Sequence, residues 1–340
     1  MKTCYICQEE LISKNRSSEH IILNAIGGRL KSRELLCKSC NSEIGEEADA
    51  ELAKQLSHFS TLINVKRDRK DNRPIKGFED ESGQKYTMLP DGEIQISDPL
   101  VKIERLPDGK TLYDIKARSE DELDNILDGI ANKNPLLDFK PLKKHSNSNN
   151  GRGYMIKPVY NETNVGGKTI LKSVLKTAIN FYLFRNGDRN VVEHWFPYMV
   201  NFDSRNLIEH YYPKEDFLER HENEITHIIH IRSNLKERLL YCIVEFFSTY
   251  SFLVILSQNY DGENFNETYC YDLLNLKEKE IELPHELSQK IINSNLKNRH
   301  DFGNQNQIKH QRAFEIAYGR HPSRAEGGVI KVEIEKISKV

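Results

Sequence analysis

What this 340-residue chain lacks narrows its class first. No apolar run approaches the roughly 20 residues that a membrane-spanning helix needs. With charged residues at 29% and a mean hydropathy of −0.64, a polar, soluble protein without a membrane partner is expected. No apolar signal region precedes Cys4, so no targeting peptide is evident and a cytoplasmic location is expected. Excess positive charge is missing too: 49 Lys and Arg stand against 51 Asp and Glu, for a net charge of −2. A dedicated nucleic-acid-binding protein is usually basic overall, so any such contact must use local patches. A phosphate-cradling glycine loop is absent. Gly166-Gly167-Lys168-Thr169 ends like one, but Glu162 stands where its first glycine would fall, and the stretch reads as a helix-starting turn. There is no internal repeat. Cysteine is scarce, six residues in all, and four of them are gathered before residue 41.

Those four are what is there to read. Cys4-x-x-Cys7 and Cys37-x-x-Cys40 are two paired knuckles. A two-residue gap lets both sulfurs of a knuckle reach one ion, and zinc takes four tetrahedral thiolates in structural sites. Paired spacing of this kind rarely arises by accident. Thiolates kept for a metal point to a reducing compartment. Cys242 and Cys270 lie in apolar, strand-like runs and read as small buried hydrophobes. The insert between the knuckles is longer than a small zinc ribbon needs. Ser18-Glu19-His20-Ile21-Ile22 reads as a short strand that begins with a polar pair. Ala25-Ile26-Gly27-Gly28 reads as a turn, Leu35-Leu36 as the apolar return to the second knuckle, and Asn41 as the N-cap of a following helix.

Glu19-His20-Ile21-Ile22, the Gly27-Gly28 pair and Cys40-Asn41, framed by both knuckles, resemble the HNH endonuclease family, in the subgroup whose ββα-metal hairpin is stapled by four cysteines. The resemblance is specific for residues 1 to about 55. It implies phosphodiester hydrolysis, with His20 as general base, Glu19 and Asn41 holding a catalytic Mg²⁺ or Mn²⁺, and Cys4, Cys7, Cys37 and Cys40 holding a structural Zn²⁺. The residue types suit these roles. A neutral imidazole is the natural base near neutral pH, and carboxylate and amide oxygens are hard ligands. Two positions depart from the family pattern. Leu23 stands where many members carry proline. The asparagine that usually precedes the returning strand falls near Ser32, and Ser32 or Asn24 is expected to take over its orienting hydrogen bond.

Basic residues form candidate nucleic-acid contacts. Arg29, Lys31, Arg33 and Lys38 lie inside the hairpin and are the expected substrate-binding set. Lys66-Arg67-Asp68-Arg69-Lys70 with Arg73 and Lys76 follows the nuclease segment. Lys140, Lys143, Lys144 and His145 run into Arg152, and Lys297, Arg299, Lys309, His310, Arg312, Arg320 and Arg324 make a looser third group. Tyr211, Tyr212, Phe246, Phe247, Tyr250 and Phe252 read as core rather than as base-stacking platforms. His227 and His230 fall on opposite faces of a strand, so no second metal site is expected there.

The expected fold class is α+β: an N-terminal zinc-stapled HNH module over 1–60, a β-rich region with one helix over 61–145, and a C-terminal antiparallel sheet with helices over 154–340. Ala48, Leu52, Leu56 and Phe59 carry helical spacing over Glu46 to Phe59. Pro90-Asp91-Gly92 and Pro107-Asp108-Gly109 mark tight turns, and Ser119 with Glu122 makes a capping box for a helix to about Ala131. His145 to Gly153 reads as a linker. A helix is expected over Thr169 to Phe184, and strands over Ile225 to Ile231, Leu239 to Phe247, Phe252 to Leu256 and Thr268 to Leu274. A last helix is expected over Pro284 to Leu296, with Asn293 to Arg312 as a polar loop. Beyond the module the layout looks like longer stand-alone bacterial HNH proteins, some of which look like effectors in antiviral or mobile-element systems. Expected partners are nucleic acid, duplex DNA first, and a second copy of the chain or an activating protein. Two other classes stay open: a zinc-stapled nucleic-acid-binding protein without catalysis, and an effector silent until a ligand or partner binds the C-terminal half.

Overall fold

The computed structural model describes residues 2–90, 92–105, 107, 111–133, 159–200, 207–212, 216–283, 286–297 and 303–319. The expected 145–153 linker and the basic stretch from Lys140 to Arg152 lie outside the described residues, as does most of the turn at 107–109. The architecture is α+β.

The N-terminal segment builds a short hairpin and a helix. Strands β1 (Glu19–His20) and β2 (Lys31–Ser32) pair antiparallel, with Glu19 opposite Ser32 and His20 opposite Lys31. Between them a single 3₁₀ turn, Asn24–Ile26, ends at Gly27, whose φ of +93° suits a residue without a Cβ. At Gly28 a Cβ would stand 1.9 Å from the Ile22 carbonyl oxygen, so only glycine lets the hairpin close. Helix α1 (Lys38–Gln55) follows. Its N-cap is Cys37, whose sulfur accepts from the Cys40 N–H, and not Asn41 as the sequence led us to expect. Asn41 lies inside the first turn, where its backbone N–H bonds back to the Cys37 carbonyl. The helix expected through Phe59 is broken at Leu56, at φ −91° and ψ 6°, and α2 (Ser57–Leu62) follows. Ala48, Leu52, Leu56 and Phe59 are all buried.

The middle region is β-rich. Strands β3 (Ile75–Asp80), β4 (Lys85–Met88), β5 (Ile94–Ile96) and β8 (Val159–Tyr160) form a sheet in the order β5-β4-β3-β8, while β6 (Leu100–Arg105) and β7 (Thr111–Lys116) form a separate ribbon. Helix α3 (Glu120–Lys133) starts at a capping box shifted by one residue. Ser119 accepts from the Glu122 N–H, but the Glu122 carboxylate returns to the Arg118 N–H, at 2.8 Å.

The remaining described residues form a six-stranded antiparallel sheet with helices. Helix α4 (Lys168–Phe184) precedes two short helices, α5 (Arg189–Val192) and α6 (Phe196–Val200). Strands β9 (Ile208–His210), β10 (Thr226–Asn234), β11 (Leu239–Phe246), β12 (Tyr250–Ser257), β13 (Asn266–Asp272) and β14 (Lys277–Lys279) are ordered β14-β13-β10-β11-β12-β9. Every residue of β11 is buried. Alternate side chains point to opposite faces: Leu240, Cys242 and Val244 enter one core, Tyr241 and Ile243 the other. The first core also takes Ile44 and Leu52 of α1 and Val174, Leu175 and Ala178 of α4, so one apolar cluster joins the N-terminal segment to the sheet. Helix α4 lies between α1 and strands β10 to β12. Trp195, the chain's single tryptophan, is buried beside this layer and donates to the Leu256 carbonyl at 3.1 Å.

The six aromatic residues named above are buried. His227 and His230 are buried apart, one on the Ile26 carbonyl and the other on the Thr268 hydroxyl. Gly167, at φ +93°, is the N-cap of α4, as a helix-starting turn requires. After α7 (Gln289–Lys297), the polar loop expected up to Arg312 is instead largely helix α8 (Gly303–Gly319). Its buried positions include Lys309, His310, Ala313 and Ala317. The Lys309 ammonium is neutralised by Glu245 at 2.9 Å and Asp216 at 3.3 Å, so it is not a free surface charge. Two basic residues on the buried stripe disguise its amphipathic pattern. Among the described residues, no helix is long and apolar enough to cross a membrane.

Candidate active site

The two knuckles converge. The four sulfurs of Cys4, Cys7, Cys37 and Cys40 lie within 4.8 Å of one another, with Cys7 and Cys37 at 3.9 Å. A tetrahedron with Zn–S bonds of about 2.3 Å has edges of about 3.8 Å, so the cluster fits a structural zinc ion. The first knuckle is shaped by the Cys4 N–H on the Glu9 carbonyl and the Gln8 N–H on the Cys4 carbonyl, with Gln8 at φ +62°. Burial and hydrogen bonds with Cys37 and Cys7 push the Cys40 thiol up, and Cys7 is raised chiefly by burial. Burial opposes it, yet Cys4 lies below its ordinary value because backbone N–H groups of Cys37, Cys7 and Ile6 face its sulfur. A soft cation is what lets such a set exist as thiolates together. Among the described residues, this is the one group of three or more Cys, His, Asp or Glu side chains placed to hold an ion.

Glu19 points inward from β1 and is 5% exposed. Its Oε1 takes the Lys176 ammonium of α4 at 2.7 Å and the Asn180 amide at 3.4 Å. Lys176 also holds Asp49 of α1 at 2.7 Å, and Asp49 accepts from the Ser173 hydroxyl at 2.6 Å. Gly45 makes room for this ammonium: a Cβ there would stand 2.6 Å from Lys176 Nζ. Burial raises the Glu19 carboxyl, while Lys176 and the neighbouring Asn41 amide draw it back. Asn41 donates to the Ser17 hydroxyl at 3.0 Å, and its buried Oδ1 has no hydrogen-bond partner.

His20, next along the strand, faces the outer side of the hairpin. Its Nε2 is 3.2 Å from Asp68 Oδ2. Arg29 donates to Asp68 Oδ1 at 2.7 Å, and Lys31 also binds the Asp68 carboxylate. Burial and the Lys31 charge hold the imidazole below its ordinary value, and Asp68 only partly offsets them. Hydrogen bonds from Lys31 and His20 take the Asp68 carboxyl down to about 2. The two residues expected to replace the missing asparagine bond elsewhere than His20. The Ser32 hydroxyl accepts from the Glu34 N–H, and Asn24 accepts from the Asp68 N–H and donates to the Gly28 carbonyl.

The structure thus gathers Glu19 with Asn41, and His20 with Arg29 and Lys31. Arg33 is exposed, and Lys38 turns to the Lys14 carbonyl at 2.9 Å. Three residues around the site escaped the sequence reading: Lys176, Asp49 and Asp68. Asp49 had a signal, since Asn41, Gly45 and Asp49 share one helical face. For Lys176 and Asp68 the chain gives no local signal, because tertiary packing alone brings them here.

The four-cysteine cluster, with the hairpin and helix around it, is consistent with a zinc-stapled HNH-type module. Residues 4–57 match the HNH endonuclease family model, less than a fifth of the chain. No curated protein and no solved structure matches the chain.

Proposed function

We propose that the N-terminal hairpin and helix form a ββα-metal nuclease that hydrolyses phosphodiester bonds in nucleic acid, duplex DNA first. The observation that carries this reading is the Asn41 side-chain oxygen, buried without a donor, on a side chain whose amide group neighbours the Glu19 carboxylate. A buried acceptor left empty is costly, and hard oxygens of this kind suit a divalent ion. Glu19 and Asn41 would hold Mg²⁺ or Mn²⁺. Bound there, such an ion supplies Lewis acidity at the scissile phosphate and offsets charge on the leaving 3′ oxygen.

The chain's own groups account for the rest. His20, kept neutral by burial and by Lys31, takes a proton from water as the water oxygen attacks phosphorus. The P–O3′ bond breaks, and the 3′ oxygen leaves to gain a proton from solvent. Arg29 and Lys31 bind the non-bridging phosphate oxygens. The sulfur cluster holds β1 against the start of α1, so that His20, Glu19 and Asn41 keep their spacing.

One contact favours a second reading. The Lys176 ammonium on Glu19 already supplies a cation to the carboxylate, as in a module that binds nucleic acid without cutting it. Cleavage of supercoiled plasmid and linear duplex with Mg²⁺ or Mn²⁺, wild type beside His20→Ala, separates the two. Cutting lost in the variant is expected. Zinc-loaded, folded wild type that binds DNA and never cuts it would favour the second reading.

A further inference from the structure

We propose that Arg29 and Lys31, beside His20, form a phosphate subsite for which Asp68 is an internal ligand, so that the Lys66–Lys70 segment closes the site until nucleic acid displaces it. The inference rests on the nuclease reading for what the subsite does, but its geometry stands apart from catalysis. Three side chains from separate chain positions converge on one carboxylate: the cations Arg29, on Oδ1 at 2.7 Å, and Lys31, with His20 Nε2 3.2 Å from Oδ2. The hairpin register explains the convergence, because His20 and Lys31 are cross-strand partners and Arg29 precedes Lys31 by two residues. A carboxylate offers two oxygens to Arg29 and Lys31, as a phosphodiester offers its two non-bridging oxygens, and both anions are bound by the same two charged donors.

The segment is docked through backbone and side chain together. The Asp68 N–H donates to Asn24 Oδ1 at 2.9 Å, and Arg29 also donates to the Lys66 carbonyl at 2.7 Å. It is bracketed by two non-glycine residues in the left-handed region, Asn64 at φ +46° and Lys70 at φ +62°. Such a conformation is sparsely populated and holds only while surrounding contacts enforce it. Asp68 is the lone anion among Lys66, Arg67, Arg69 and Lys70. A DNA backbone competes for the subsite with one phosphate and offers neighbouring phosphates to those four cations, which an isolated carboxylate cannot do. Displacement therefore converts a closing segment into a binding one.

The test uses the full-length, zinc-loaded protein and a fluorescein-labelled DNA duplex, without added Mg²⁺. Wild type is compared with Asp68→Asn, Asp68→Ala, and Asp68→Ala combined with Arg29→Ala. Both single variants are expected to bind about tenfold more tightly, the double variant losing that gain, since a competing internal charge pair is removed. Cleavage at limiting DNA in Mg²⁺ should rise in parallel. Unchanged or weaker binding in both single variants overturns the inference. Unchanged binding with lost cleavage overturns it too and makes Asp68 an orienting partner of His20. Tighter binding with no cutting by any variant leaves the subsite standing while the nuclease reading falls.

Discussion

The ammonium of Lys176, carried by α4, lies 2.7 Å from Glu19 Oε1 on the hairpin and 2.7 Å from Asp49 Oδ2 on α1. Lys176 and Glu19 are buried, with the Lys176 side chain 3% exposed, while Asp49 is half-buried. The contact ties a carboxylate inside the family-matched segment to a cation far outside it, so the C-terminal half forms the back wall of the site.

Lys176→Met should therefore be strongly destabilising. Removing one partner of a buried ion pair strands the other charge, at a cost of about 3–5 kcal/mol. Urea unfolding would read this directly. Adding Glu19→Gln should restore part of the loss, because one stranded charge is then gone. A loss under about 1 kcal/mol would mean that the pair behaves like an exposed one.

The sulfur cluster makes a second expectation. Cys37→Ser should take zinc from one ion per chain to nearly none by metal analysis, and lower the melting temperature by more than an average substitution, which costs about 1 kcal/mol. Cys242→Ser is the control: Cys242 is buried in β11 away from the cluster, so its zinc content should not change. Full zinc with unchanged melting in Cys37→Ser would remove that residue from the ligand set.

Stability should also fall with acid, for a reason outside the site. Burial pushes His58 down to about 3, and His227 and His310 down to about 4. Unfolding returns each to about 6.5. The unfolded chain then binds protons that the fold refuses, so the stability contribution is intact above about pH 6.5 and is lost as pH falls toward 4. Three such groups give a slope of up to about 4 kcal/mol per pH unit in the lower part of that window. Urea midpoints at pH 7.5 and 5.5 measure it. Equal midpoints would show that these histidines stay protonated or become hydrated in the fold.

Short-range features were the legible ones. The cysteine pairs, the Glu19-His20 pair, the Gly27-Gly28 turn and the start of α4 are each set by neighbours a few residues apart. Alternating apolar residues likewise announced β10 to β13, apart from their ends. What escaped depends on distant partners. Asp68 looked like one member of a basic run until folding set its carboxylate against His20, Arg29 and Lys31. Helix α8 was hidden because Lys309 is buried only where Glu245 and Asp216 wait for it. Asn41 was misplaced as a cap because Cys37 already fills that role with its sulfur, which also faces the other three cysteines of the cluster.

Trp195 adds a spectroscopic consequence. As the chain's sole indole, sequestered with its N–H on Leu256, it should emit at short wavelength in the native protein and shift to the red when the layer around it opens. Because that layer is continuous with the apolar cluster under α1, a single fluorophore, needing no label, can tell whether disrupting the four-cysteine cluster loosens the hairpin alone or melts the joint between hairpin and sheet.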